Sequence, residues 1–307
     1  MTAQRWILLG LTWCAVSCGN GGHGADAPTP RVLVLGIDGL RPDALQAAST
    51  PAIDALIGAA TTTYNAVAGG ELGTPTEQRT LSGPGWSSIL TGVWVDKHGV
   101  EFNTFEGSRF DRYPHFYARI REIDPSAYLS SFATWSPIHE EILGQDGADV
   151  VFSPGAQSSL AGDTAVTAEV VAHLDLEDPD VVFVHLDNPD AAGHSSAFSP
   201  ESSPYISAIE GADRQVGDMI AAVRARSRFA REDWLFIVVT DHGGAGNLHG
   251  GQSMEERTVP MIVSRTAGEA VTVGEGPGHV AVPPTVFEHL GLRVDPGWGW
   301  ETGPFGR

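Results

Sequence analysis

Cysteine is almost missing from this 307-residue chain: there are two, Cys14 and Cys18, both inside the first 18 residues. The domain that follows therefore holds no disulfide and no thiol nucleophile, which excludes a disulfide-stapled fold and cysteine catalysis. Positive charge is scarce as well. Eighteen Lys plus Arg against 38 Asp plus Glu leave a formal charge of −20. Nucleic acid polymers and acidic lipid surfaces repel such a protein, so neither is expected as its main partner. A small anionic substrate remains compatible if a local cation offsets the acidity, and metal ions are a readier source than so few basic residues. No internal repeat, coiled coil or low-complexity tract follows residue 30. The usual phosphate-binding loops are absent too: "GIDGLRPDAL" lacks the third glycine of a dinucleotide fingerprint, and "GGAGNLHGG" lacks the lysine of a nucleotide-binding loop.

What the N-terminus does contain is a processing signal. "MTAQRWILLGLTWCAVSC" places Arg5 before an apolar run, and roughly a dozen such residues suit a signal peptide but are too few to span a bilayer. "AVSC" before "GNGGHGADAPTP" resembles a bacterial lipoprotein signal, with Cys18 lipidated and residues 19–30 a flexible tether carrying a solvated His23. The expectation is an exported protein held to the cell envelope through that lipid, with residues 31–307 as one domain.

From residue 31 short apolar runs alternate with longer amphipathic ones. "RVLVLGI" (31–37), "AYLSSFA" (127–133), "DVVFVHL" (180–186), "DWLFIVVT" (233–240) and "VPMIVSR" (259–265) read as buried strands. Helical spacing appears in "TPAIDALIGAA", "YPHFYARIREI", "DTAVTAEVVAHL", "YISAIEGADRQVGDMIAAVRARSR" and "PPTVFEHLG". The alternation predicts an α/β fold, a mostly parallel central sheet with helices on both faces.

Such sheets place chemistry beyond the carboxyl ends of their strands. Asp38 follows the first strand, "DNPDAAGH" (187–194) the third and "DHGG" (241–244) the fourth. One strand-end aspartate is commonly a helix cap, but three such ends together point to a site. Carboxylates mixed with imidazoles suit zinc, manganese or iron rather than calcium. Asp38, Asp190, His194, Asp241, His242 and His249 are enough for two ions, a device for in-line displacement at phosphorus. Asp187 competes with Asp190, and His279 is the alternative to His249. A nucleophile is then needed. Ser82, in "SGPGWSSILTG", precedes a helix that starts near Pro84, where free N–H groups favour an anion; it reads equally as a helix cap.

The motifs "GIDGLRPDAL" (36–45), "SGPGWSSILTGVWVDKHGV" (82–100) with Asn103 after it, "DNPDAAGH", "TDHGG" (240–244) and "HGGQSM" (249–254) occur in this order. Together they resemble the alkaline phosphatase superfamily, in its nucleotide pyrophosphatase/phosphodiesterase branch. The resemblance implies that Asp38, Ser82, Asp241 and His242 surround one zinc and Asp190, His194 and His249 the other. It implies Ser82 as the nucleophile of a covalent phospho-enzyme. It further implies Asn103 as a donor to a non-bridging phosphate oxygen, joined by the N–H of Gly83. The expected substrate is a small phosphate ester, a diester before a monoester, because no residue stands out as the extra cation a dianion needs. Ser82 replaces the threonine more usual in this branch, and the inserted cap that often selects substrate is missing.

Other readings are a sulfatase, a phosphomutase and a metal-containing binding protein. The sulfatase motif needs arginine where this chain has Trp86. The mutase must retain its phosphorylated intermediate, and the binding protein would be marked by loss of a nucleophile or ligand that this sequence keeps. Trp86 either packs the helix of the nucleophile or stacks on substrate. Trp135 and Tyr117 either border a leaving-group pocket or pack, while His98 and His185 are expected behind the site rather than as ligands.

Overall fold

The computed structural model describes residues 27–58, 60–144, 147–267 and 278–305. Seven strands form one sheet: β1 Thr29–Ile37, β2 Ala60–Val67, β3 Leu129–Ala133, β4 Val150–Phe152, β5 Val181–Leu186, β6 Glu232–Val239 and β7 Thr258–Arg265. Their order is β2-β7-β6-β1-β5-β3-β4. The pairs β6–β1, β1–β5, β5–β3 and β3–β4 are parallel, whereas β7 runs antiparallel to both β6 and β2. The sheet is therefore mostly parallel, as expected, with one reversed strand near an edge.

Alternation along the central strands feeds two cores, as a period of two requires. Val32, Val34, Phe183, Leu235 and Ile237 join one core with Trp86, Ile89, Phe116, Ile120, Val286 and Phe287. Leu33, Leu35, Val182, Val184, Phe236 and Val238 join the other with Val166, Val170, Ile209, Val216 and Met219. The helices Ser82–Thr91, Phe116–Ile123 and Val282–His289 thus cover one face, and Ser159–Leu176 and Ser203–Ala225 the other. Each fully buried aliphatic or aromatic side chain in these layers contributes about 1.5–3 kcal/mol, and so the sheet is a rigid platform for whatever its ends carry.

Register decides where those ends fall. Gly36 pairs with His185 on one side and with Val239 on the other, so β1, β5 and β6 finish side by side. The residues that follow them, Asp38, Asp187 and Asp241, emerge at one edge.

One difference from the sequence reading concerns the N-terminus. Thr29 and Pro30, assigned to the tether, already pair with Glu232 and Asp233 as the start of β1. The signal segment with Cys14 and Cys18, and His23 of the tether, lie outside the described residues. Among the described residues no helix is long and apolar enough to cross a membrane.

Candidate metal centre

Asp38 sits in the turn after β1, its N–H bonded to Leu186 O at 2.9 Å. Asp190 and His194 lie on the helix Asn188–Ser196, one turn apart and facing the same way. Asp241 and His242 follow β6 after one residue, Thr240. His249 reaches them from a loop tied down at both ends: Gly243 and Gly244 N–H bond to Glu256 O and Glu255 O, and Gly250 N–H donates to Thr80 Oγ1 at 3.0 Å. Gly250 takes φ +108°, a backbone that side-chain-bearing residues resist.

Two groups of ligand atoms result, Asp38/Asp241/His242 and Asp190/His194/His249, each with its atoms within 4.8 Å of one another. The His242 and His249 rings stack at 3.7 Å between centroids, which sets the groups against each other. Ser82 Oγ lies 3.4 Å from His242 Nε2. Ser82 is the first residue of its helix and its side chain caps nothing, so the helix-cap reading fails. Gly85 lets this helix approach so closely: a Cβ there would stand 2.7 Å from Asp241 Cβ.

The hydrogen bonds around the three histidines fix their tautomers. Nδ1 of His242, His249 and His194 donates to the carbonyls of Gly243, Thr80 and Asn247 at 2.8, 2.8 and 2.9 Å. Each ring therefore turns an Nε2 lone pair inward. There His194 Nε2 meets His249 Nε2 at 2.9 Å, and His242 Nε2 meets Asp241 Oδ2 at 3.1 Å and Asp38 Oδ1 at 3.5 Å. Burial, with the neighbouring His249, pushes the His242 pKa down to about 3, so its ring is not an imidazolium at neutral pH. Asp38 Oδ1, Asp190 Oδ1 and Asp241 Oδ2 are buried with no hydrogen-bond partner among the described residues. Lone pairs facing lone pairs across 3 Å repel unless a cation lies among them, and imidazole nitrogen with carboxylate oxygen is the donor set of a first-row divalent metal. The residues fit such ions.

Electrostatics separates the three carboxylates. Burial alone would raise Asp38, but the hydrogen bond from His185 and the charges of His242 and His185 outweigh it and hold the carboxyl below its usual range. Asp241 and Asp190 are pushed well above theirs, first by burial and then by the negative charge of Asp38.

Asp187 turns to Ser159, accepting from its hydroxyl at 2.5 Å; it can still form a third group with Asp38 and His185. However, Asp38 Oδ2 there already accepts from Trp86 Nε1 at 2.9 Å and His185 Nε2 at 3.0 Å. His279 is no alternative ligand: it is fully buried beside Trp94, with Nδ1 3.4 Å from Thr240 O, and joins none of the groups. Asn103 is exposed, and its Oδ1 accepts the Gly83 N–H at 2.7 Å. That N–H is therefore spent on positioning the amide, correcting the expectation that both would serve phosphate, and the amide NH₂ is left as the free donor. Trp86 is fully buried and packs on Gly36, which excludes stacking on substrate. Tyr117 is buried and donates to Ser130 O at 2.7 Å. Trp135 packs against the core through its ring. His98 bonds Ser88 and Gln78 behind the serine helix, and His185 backs Asp38 as expected.

Sequence reasoning missed Asp163. Fully buried, it accepts from the N–H of Asp187 and of Asn188, both at 2.8 Å, and from Thr134 Oγ1 at 2.7 Å, thereby capping the helix that carries Asp190 and His194. Burial raises its pKa to about 6. A lone aspartate inside an amphipathic helix gave no local signal for this role.

Fold and site together define an alkaline phosphatase-like metalloenzyme. A family model described as the metalloenzyme superfamily matches residues 38–294, and the chain belongs to that superfamily. Among curated proteins it is 26% identical over 187 residues to a 2,3-bisphosphoglycerate-independent phosphoglycerate mutase of Haloquadratum walsbyi, covering 57% of this chain and 34% of the mutase. The chain spans about a third of the length of that relative. Among solved structures it is similar to murine ectonucleotide pyrophosphatase/phosphodiesterase 5 in complex with AMP, with TM-score 0.65, 14% identity and coverage of 87% of this chain and 96% of that one. A 2-O GAG sulfatase, BT1596, shares the fold as well, with TM-score 0.66, 14% identity and coverage of 88% and 72%.

Proposed function

We propose that this protein hydrolyses phosphodiesters, with Ser82 as nucleophile and two divalent metal ions, zinc by preference, held by Asp38/Asp241/His242 and Asp190/His194/His249. The observation that carries this is the convergence of three inward Nε2 lone pairs and three unpartnered carboxylate oxygens beside the Ser82 hydroxyl. Divalent ions bound there would supply Lewis-acid stabilisation of phosphoryl charge and lower the pKa of a serine hydroxyl. The chain's own residues do the rest. Ser82, fixed at the start of its helix, is aimed along the His242 side of the site. Asn103, its oxygen held by Gly83, offers its NH₂ to a non-bridging oxygen where charge builds. Trp86 and His185 hold Asp38 so that only one of its oxygens remains available. Displacement by Ser82 expels the leaving alcohol, and water then frees the phosphoryl group from the serine.

A sulfatase is disfavoured because the position its motif needs for arginine is Trp86, whose indole is committed to Asp38. A phosphomutase is disfavoured by the expected export of the chain. We further propose that the protein is exported and tethered through lipid on Cys18. Turnover of bis(4-nitrophenyl) phosphate, 4-nitrophenyl phosphate and 4-nitrophenyl sulfate, with added zinc and with chelator, tests the assignment. Chelator-sensitive diester cleavage is expected, and preferential sulfate turnover would refute it.

A further inference from the structure

A cleft of about 1150 Å³ is lined in part by Gln78, Arg79, Phe102 and Gly250. Its walls are continuous with the site in sequence: Phe102 precedes Asn103, Gly250 follows His249, and Arg79 lies three residues before Ser82. The exposed Arg79 places its guanidinium carbon 4.8 Å from the centroid of the Phe102 ring and has no ion pair or hydrogen bond among the described residues. A guanidinium resting on an aromatic face keeps its N–H edge free, in the fork geometry that grips an oxyanion.

Gln78, the preceding residue, lines the same cleft. Gln78 is only 3% exposed; its Oε1 accepts from Ser88 Oγ and Val95 N–H, both at 3.0 Å. Because a backbone N–H can only donate, the amide orientation is settled, and Nε2 is buried with no partner. The other guanidinium of the cleft, Arg109, is occupied by the carbonyls of Val95 and Asp96 at 3.2 and 2.6 Å. The acidic lining limits what this donor set can take. Glu77, Asp96, Glu101 and Glu106 also face the cleft, and four carboxylates against two guanidiniums oppose a polyanion while leaving room for one negative group at Arg79.

We infer that Arg79, with Gln78 beside it, forms a leaving-group subsite selecting phosphodiesters whose departing alcohol carries a single oxyanion. This rests on the phosphodiesterase reading and adds to it the class of substrate.

The test compares methyl 4-nitrophenyl phosphate with its 3-carboxy analogue and with its 3-phosphonomethyl analogue carried as the singly charged phosphonate monomethyl ester, on the metal-loaded protein. One exposed charge-assisted contact corresponds to a preference of about tenfold in kcat/KM for a charged analogue over the neutral one. Arg79→Gln should remove most of that ratio, Arg79→Lys should restore part of it, and the favoured analogue identifies the oxyanion as carboxylate or phosphate-like. A ratio at or below one in the wild type, or one unchanged in Arg79→Gln, overturns the subsite. Calorimetric titration with the departing alcohol, 3-carboxy-4-nitrophenol, reads the same contact without turnover: tighter binding to the wild type than to Arg79→Gln supports it, and equal binding overturns it. No diester turnover alongside that affinity difference would sink the phosphodiesterase reading and leave the subsite standing.

Discussion

Removing the metal ions should destabilise this protein by an amount that the site geometry sets. Asp38 Oδ1, Asp190 Oδ1 and Asp241 Oδ2 are buried with no hydrogen-bond partner among the described residues. An unsatisfied buried polar atom costs about 1–3 kcal/mol, so three cost about 3–9 kcal/mol unless cations meet them. At about 2 °C per kcal/mol for a chain of this size, the zinc-saturated protein should melt at least about 6 °C above the chelator-stripped one. Asp241→Asn sharpens the test. It keeps the oxygen that accepts the Gly39 N–H at 3.3 Å but removes a charge that burial and Asp38 both disfavour. The stripped variant should therefore melt above the stripped wild type while gaining much less from zinc. The pH dependence has a definite sign: with its folded pKa raised, Asp241 penalises the stripped protein increasingly as pH rises above its unfolded value. The difference between variant and wild type should accordingly shrink on acidification, because protonation then does what the substitution does. Thermal melts followed by circular dichroism, with chelator and with zinc, measure all of this. Equal melting temperatures with and without metal, or a stripped Asp241→Asn less stable than the stripped wild type, would refute the reasoning.

Two further predictions follow from residues outside the ligand set. His98 is fully buried, and burial, followed by His279 and Arg109, depresses its pKa to about 3. Folded His98 stays neutral at pH 5, whereas the unfolded chain binds a proton once pH falls below about 6.5, so stability drops by about 2 kcal/mol at pH 5; urea titrations at pH 7 and pH 5 should show His98→Gln losing less than the wild type, and equal losses would contradict the shift. Asn103→Ala should lower kcat toward a diester by about 10²–10³-fold if the amide meets developing charge, with bound metal unchanged, and a neutral result would make Asn103 structural.

How much of this could be read from the sequence depended on distance along the chain. Five strands declared themselves as apolar, β-branched runs, but β2, "ATTTYNAV", is half polar, and β4 is three residues with an exposed Val151. Both lie at the sheet edges, where burial does not enforce a pattern. That β7 runs antiparallel is set by its connection and pairing, which its composition does not encode. Asp38, Asp241 and His242 were legible because they lie just past strand ends, and Asp190 and His194 because they sit one helical turn apart; His249 lies on a loop and was legible only through its glycine-rich flanks. Their supports were not: Thr80 holds His249 across 169 positions, His185 meets Asp38 across 147, and Trp86 across 48. Gly83 is the instructive miss. Beside Ser82 its N–H looked like an anion donor, and only the folded turn at Asn103 shows that it donates to the Asn103 amide oxygen instead.

The central claim is that Ser82 attacks phosphorus at this metal centre. Its most direct test is to quench the zinc-loaded protein with acid during turnover of methyl 4-nitrophenyl phosphate and map its peptides by mass spectrometry. The account predicts that the retained methyl phosphoryl group is found on the peptide containing Ser82, and that Ser82→Ala, with its metal content kept, shows neither adduct nor turnover. Undiminished turnover by metal-loaded Ser82→Ala would contradict it.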